Sequence, residues 1–292
     1  MPHTPAADPA LGRSAAGLFG EPICAKEIRT NPTNVLDRVK ARLAASHAAL
    51  VKHFPTDDPH LYVDFLAQLG EPLDNYGAGS DSAAYRLHPK INVVRCRPGG
   101  ARVQEAGGPL TAHSGRAFAK QRPAYTAMLM ARAGWPGAPG RAGESTAVRW
   151  ADAVARHREL FPATAERDLA LLIDTPIRIT AKYVDSELSD LPLLYPLPDS
   201  TGPDDLGARF SLVIRDQLPG MGLGAQLTTD YLAALERFAQ AANDPAIRYL
   251  HLLQQGQLLI LDNNRFGHGR LPLPATGPDG TNPRELWSAT VA

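Results

Sequence analysis

Cysteine is scarce in this chain: of 292 residues, only Cys24 and Cys96 carry a thiol. Two cysteines do not make a disulfide framework, and they suit a reducing compartment. A surplus of either charge is also missing, because Lys plus Arg and Asp plus Glu each number 30. That balance offers nucleic acid or an anionic membrane no electrostatic handle. No apolar run reaches the ~18–20 residues that span a bilayer. The opening stretch, MPHTPAADPALGRSAAG, lacks a lysine-rich start and an apolar segment of the signal-peptide kind. Residues 1–20 are therefore expected to form a flexible arm, and the protein to be cytoplasmic. No internal repeat is visible.

Hydrophobic residues make up 44%, enough for a sizeable core in a single domain over 1–292. Residues 33–53 read as one amphipathic helix, with Val35, Val39, Leu43, Leu50 and Val51 near one face. A second helix is expected over 58–69, ended by Gly70. Short strands are expected at 85–87 and 91–96. Helices follow at 152–160 and 165–173, then a strand at 176–183. Residues 185–208 are rich in Pro, Asp and Gly, and a loop of that length suggests a lid. A strand is expected at 209–216 and a helix at 228–243, capped by Thr228 or Thr229.

The stretch QGQLLILDNNRFGHGR, residues 255–270, has the densest pattern. Leu258–Leu261 form an apolar run of strand length. Asp262, Asn263 and Asn264 end it with turn-forming side chains. His268 then stands between two glycines, a placement that suggests open space around a fixed imidazole. Such a histidine can ligate a metal facing a small-molecule pocket. A satisfied structural histidine is the competing reading.

The run LLILDNNRFGHGRLPLP resembles the C-terminal signature of the clavaminate synthase-like and taurine dioxygenase-like enzymes, which are iron(II)- and 2-oxoglutarate-dependent. A second stretch, GGPLTAHSGRAFAKQRPAYTAMLMARAGW, keeps the family order of His113, Phe118, Arg122-Pro123 and an apolar strand. The resemblance covers roughly residues 60–292. It implies an α+β fold, a double-stranded β-helix or jelly roll, here with helices expected on one face. It implies that His113 and His268 bind iron(II). It also implies that Thr146, or Ser145 in its place, contacts 2-oxoglutarate, and that Arg284 pairs with the distal carboxylate of that cosubstrate. Dioxygen and a small polar metabolite, an amino acid or similar, would complete the reactants.

One family feature is absent. Where relatives carry His-X-Asp or His-X-Glu, this chain reads His113-Ser114-Gly115. Relatives that chlorinate aliphatic carbons have Gly or Ala there, with chloride on the iron, so the resemblance points first to a halogenase. A hydroxylase whose third ligand is water or another acid such as Glu105 is the second reading, and a non-catalytic binding roll the third. Arg116, beside Gly115, is a candidate for the substrate's acidic group. Tyr76, Arg209 and Arg215 are further candidates for substrate contact, and Arg270 and Asp262 are read as structural.

Overall fold

The computed structural model describes residues 11–74, 87–96, 107–117, 119, 122–135, 137–178, 190–200, 202–273 and 283–292. The first half carries β1 (Arg13–Ser14), α1 (Ala16–Phe19), β2 (Ile23–Cys24), α2 (Pro32–Ser46), β3 (Ala48–Lys52), α3 (Pro59–Ala67), β4 (Asn92–Arg95), β5 (Leu110–His113), β6 (Tyr125–Arg132) and β7 (Ser145–Arg149). The second half adds α4 (Trp150–Leu160), α5 (Ala165–Asp174), β8 (Ile177–Arg178), β9 (Asp190–Leu191), β10 (Leu194–Pro196) and β11 (Leu206–Ala208). It ends with α6 (Ile214–Gln217), α7 (Ala225–Ala242), β12 (Tyr249–His251), β13 (Leu258–Asp262), β14 (Phe266–Arg270) and β15 (Glu285–Val291).

Two sheets face each other, in the orders β2-β3-β13-β6-β15-β4 and β1-β12-β7-β14-β5. Neighbours in sequence are mostly not neighbours in the sheet, as a jelly roll requires. Side chains alternate across each strand, so every strand feeds two cores. Met128, Met130, Leu259, Leu261 and Phe266 pack in the roll interior. Ala127, Leu129, Leu258 and Ile260 point the other way and meet α2 and α3. On the opposite flank Val148 and Trp150 meet α5 and α7. Helices therefore cover the outer faces of both sheets, not the single face expected, because each sheet is apolar outside as well as inside. No helix among the described residues is long and apolar enough to cross a membrane.

Five local expectations fare differently. The helix read over 33–53 stops at Ser46, where His47 adopts a left-handed φ of 59° and its N–H caps Leu43. Ala48–Val51 are then buried without interruption as β3, paired with β13. Periodicity alone cannot separate so short an apolar run from a helix. The helix start is as its sequence suggests, with Asn31 accepting from Asn34 N at 3.3 Å and Pro32 in the first turn. Residues 209–216 are not a strand. The guanidinium of buried Arg209 donates to the carbonyls of Pro192 (2.8 Å), Ile177 (2.5 Å) and Leu191, replacing a ladder with side-chain bonds, and α6 begins at Ile214.

The last long helix starts at Ala225 after Gly224, so neither Thr228 nor Thr229 caps it; Thr229 Oγ1 instead donates to Ala225 O at 2.9 Å. From Leu11 onward the expected arm is packed, with Ala15, Leu18 and Phe19 buried in the roll interior. Within 185–208, the part described forms β9 and the hairpin β10–β11. Residues 1–10, 85–86, 179–189 and 201 lie outside the described residues.

One buried charge cluster ties the outer helices together. Asp168 on α5 accepts from Arg237 of α7 at 2.6 and 2.5 Å and from Thr164 at 3.0 Å, and His157 of α4 lies 3.3 Å away. Burial alone would raise the Asp168 carboxyl, but the hydrogen bonds from Arg237 and Thr164 outweigh it and hold it below its ordinary value. Burial pushes the His157 imidazole down. Both groups thus bind protons less readily folded than unfolded, so stability falls as pH drops below the ordinary histidine value of 6.5 and again through the carboxylate range. Asp168→Asn is expected to cost about 3–5 kcal/mol by leaving Arg237 and His157 without their anion. Urea unfolding at pH 5 and 7.5 measures both effects.

Candidate active site

In the five-stranded sheet β14 lies between β7 and the edge strand β5. In this ladder His268 stands directly opposite His113, and the two rings tilt toward each other with centroids 4.3 Å apart. His113 Nδ1 lies 2.9 Å from Thr111 O, which can only accept. That nitrogen therefore carries the proton and leaves Nε2 with its lone pair. Burial lowers the pKa of both imidazoles, and His268 is lowered further by the nearness of His113. Two neutral, converging imidazoles are a donor pair for a divalent metal.

The glycines beside His268 do not create open space. A Cβ on Gly267 would stand 2.4 Å from the ring of Trp150, and one on Gly269 would stand 2.5 Å from Leu110 O and 2.8 Å from Thr146 Oγ1. Neither glycine has a left-handed φ. They are small because their neighbours press against the strand from the side away from the cavity. His268 itself lies within β14 and faces a cavity of about 570 Å³.

The same cavity receives His113, Gly115, Arg116, Ser145, Arg270 and Arg284. In the β7–β14 ladder Ser145 pairs with Arg270, Ala147 with His268, and Thr146 with Gly269. Facing residues share a side, so Ser145 points into the cavity with His268 while Thr146 points away. Of the two sequence candidates, only Ser145 lines the cavity. Arg284 is buried at 4% exposure, and desolvation with Arg270 nearby lowers its pKa to about 10, which keeps it charged at neutral pH. Arg270 donates to Gly108 O at 2.8 Å, a bond that holds the start of β5. At the mouth, Lys90 Nζ and Asp74 Oδ1 are 2.8 Å apart, and Arg116 donates to Asp74 O at 2.9 Å. Arg116 itself has a left-handed φ of 52°.

Gly115 is held by a residue that sequence reasoning treated as a turn former. Buried Asn263 accepts from Gly115 N–H at 2.7 Å and from Thr126 Oγ1 at 2.8 Å. It donates to Gly115 O at 3.0 Å. Position and residue type alone could not reveal this, because Asn263 and Gly115 are 148 residues apart. Asp262 does cap its turn, accepting from Asn264 N at 2.9 Å. Arg209 serves the loop carbonyls described above, and Arg215 is exposed and paired with Asp216. Neither lines the cavity. Tyr76, Glu105 and Phe118 lie outside the described residues. Among the described residues no group of three His, Cys, Asp or Glu could hold a metal, so the histidine pair stands without a third acid or thiol there.

Gly267→Ala is expected to destabilise the fold by about 1–3 kcal/mol, because Trp150 is buried and has nowhere to move. Chemical denaturation measures the loss, and Gly70→Ala is no suitable control, since a Cβ there meets Ala292 O at 2.2 Å.

No curated protein sequence matches the chain. Among solved structures, an asparagine oxygenase in complex with Fe(II), 3-hydroxyasparagine and succinate aligns with a TM-score of 0.60 at 18% identity, covering 89% of this chain and 79% of that one. The non-heme iron oxygenase OrfP in complex with Fe and alpha-ketoglutaric acid aligns with a TM-score of 0.58 at 18% identity, covering 89% and 80%. The PvcB protein from Pseudomonas aeruginosa aligns with a TM-score of 0.55 at 17% identity, covering 88% and 79%. At such identities the likeness carries the fold, a double-stranded β-helix. The profile described as "Taurine catabolism dioxygenase TauD, TfdA family" matches residues 25–290, nearly the whole chain. The chain belongs to the TauD, TfdA family of iron(II)- and 2-oxoglutarate-dependent dioxygenases.

Proposed function

We propose that this protein uses iron(II) and 2-oxoglutarate to functionalise an aliphatic C–H bond of a small amino acid or similar polar metabolite, with halogenation as its specific outcome. The observation that carries the reading is the pair of neutral imidazoles, His113 and His268, converging on the cavity that also receives Arg284. Their chemistry fits iron: nitrogen donors of intermediate softness, held deprotonated by burial. When bound, iron with 2-oxoglutarate and dioxygen would supply the oxidising power to break an unactivated C–H bond.

The protein's own groups do the positioning. His113 is fixed by its bond to Thr111 O, and His268 by the ladder on both its sides. Arg284 is a planar cation in a desolvated place, suited to gripping a carboxylate through two parallel bonds. Ser145 offers a hydroxyl on the same wall. The apolar side chains of Met128, Leu286 and Val94 limit water around the reacting carbon. At the mouth, Arg116 and Lys90 present positive charge and Asp74 negative charge, a combination that suits a zwitterion. The asparagine oxygenase and OrfP structures hold hydroxylated amino acids.

Halogenation is favoured over hydroxylation because residue 115 brings no carboxylate and no other described acid takes its place. A divalent metal on two neutral ligands attracts an anion in a low-dielectric pocket. Hydroxylation is the second reading, supported by the oxygenases among the structural neighbours. Mass spectrometry of turnover products from candidate amino acids, with and without chloride, separates the two. A chlorinated product that appears only with chloride is expected, and hydroxylated product at every chloride concentration would decide for an oxygenase.

Cosubstrate binding is tested separately by anaerobic titration with 2-oxoglutarate. Arg284→Ala is expected to raise its dissociation constant tenfold or more, the loss of charge-assisted bonds worth ~1.5–3 kcal/mol each. Ser145→Ala is expected to raise it severalfold and Thr146→Ala to leave it within about twofold, since a neutral hydrogen bond contributes ~0.5–1.5 kcal/mol. An effect of Thr146→Ala larger than that of Ser145→Ala would reverse the assignment.

A further inference from the structure

Gly115 is gripped at both of its backbone polar groups by one side chain. Asn263 Oδ1 accepts its N–H at 2.7 Å, and Asn263 Nδ2 donates to its carbonyl at 3.0 Å and to Pro123 O at 3.3 Å. The same Oδ1 accepts from Thr126 Oγ1 at 2.8 Å. Asn263 and Thr126 are both buried. Neither can retreat easily. Thr126 sits in β6 between β13 and β15, opposite Leu261 and Thr290, and Asn263 N–H is bonded to Ala124 O at 2.8 Å.

The absent side chain at 115 therefore leaves no empty niche. A Cβ there would stand 2.5 Å from Thr126 Oγ1, 2.9 Å from Asn263 Oδ1 and 3.4 Å from Thr290 Cγ2. Gly115 has no left-handed φ, so conformation is not what demands glycine. Space is. The lock also spans the roll, because Thr126 lies in the six-stranded sheet and Asn263 directly follows its strand β13, while Gly115 follows β5 of the other sheet.

We propose that Asn263 and Thr126 are positioning residues that hold the backbone two residues beyond His113 and shut position 115 to any side chain, so that a third metal ligand must come from elsewhere than residue 115. The proposal rests on the reading that His113 and His268 hold a metal. It has a direct consequence. Replacing glycine by aspartate does not rebuild the His-X-Asp ligand set, because the first atom of the new side chain already collides with the lock.

The test uses the full chain stripped of metal, with cobalt(II) as the probe, titrated by visible absorbance, and thermal unfolding in parallel. Gly115→Asp is expected to bind cobalt no more tightly than wild type. Asn263→Ala is expected to weaken cobalt binding tenfold or more and to shift its bands. Val39→Ala, at a buried position of α2 beyond the other face of the six-stranded sheet, is the control, and it should lower Tm with neither effect. Gly115→Ala should lower Tm, and adding Thr126→Ala should recover at least half of that loss relative to Thr126→Ala alone. Tenfold tighter cobalt binding by Gly115→Asp would overturn the proposal, as would an Asn263→Ala protein that differs from wild type only as Val39→Ala does. Absence of thermal coupling between positions 115 and 126 would overturn it as well. A wild-type cobalt spectrum that His268→Ala leaves unchanged would defeat the metal reading alone, and the thermal cycle would then decide on the lock.

Discussion

The ladder of β14 between β5 and β7 is the constraint on which the rest of the site depends. It sets two imidazoles from distant parts of the chain opposite each other, 4.3 Å apart at their ring centres. It can do so only because Gly267 and Gly269 carry no side chains. Trp150 presses on one glycine, and the Leu110 carbonyl and Thr146 hydroxyl press on the other. The outer helix layer is thus part of the site. Trp150 opens α4, and α4 is in turn bound to α5 and α7 through His157, Asp168 and Arg237. A perturbation of that buried cluster would reach the strand carrying His268 through one aromatic ring.

The roll interior is divided by polarity. One part is filled by Met130, Leu259, Leu261 and Phe266, with Leu18 and Phe19 of the N-terminal segment packed among them. The other part holds the cavity with histidine, serine and arginine on its walls. The same low-polarity surroundings act oppositely on the two kinds of base. Imidazoles, whose ordinary pKa is near neutrality, are driven to the neutral form that binds a metal. The guanidinium of Arg284 falls only to about 10 and stays charged, ready for an anion.

Much of this was legible in the residues. The candidate histidines and Arg284 come from short motifs, and α3, α4, α5, β4, β6 and β13 from composition and periodicity, whereas β14, the strand that carries His268, and short strands such as β3, β7 and β12 give no separate signal. The errors have specific causes. Ala48–Val51 looked like the end of a helix because four apolar residues satisfy either period; the αL turn at His47 and pairing with β13 decide it. Arg209–Asp216 has strand-like composition, but a buried guanidinium draws the surrounding carbonyls to itself and no partner strand is left. The choice between Ser145 and Thr146 could not be made from adjacency, since neighbours on a strand face opposite sides and only the register with β14 says which side is which.

The sequence by itself determined the family, the two histidines and the missing carboxylate, because these are properties of residue identity and order. Tertiary structure alone decided what surrounds them. Whether a glycine marks a turn, an opening or a tight contact depends on atoms that arrive from elsewhere in the chain. Gly267, Gly269 and Gly115 all prove to be tight contacts, with Trp150, Leu110 and the pair Thr126 and Asn263. The last of these joins residues 148 positions apart, and such a contact exists only after the two sheets have closed on each other.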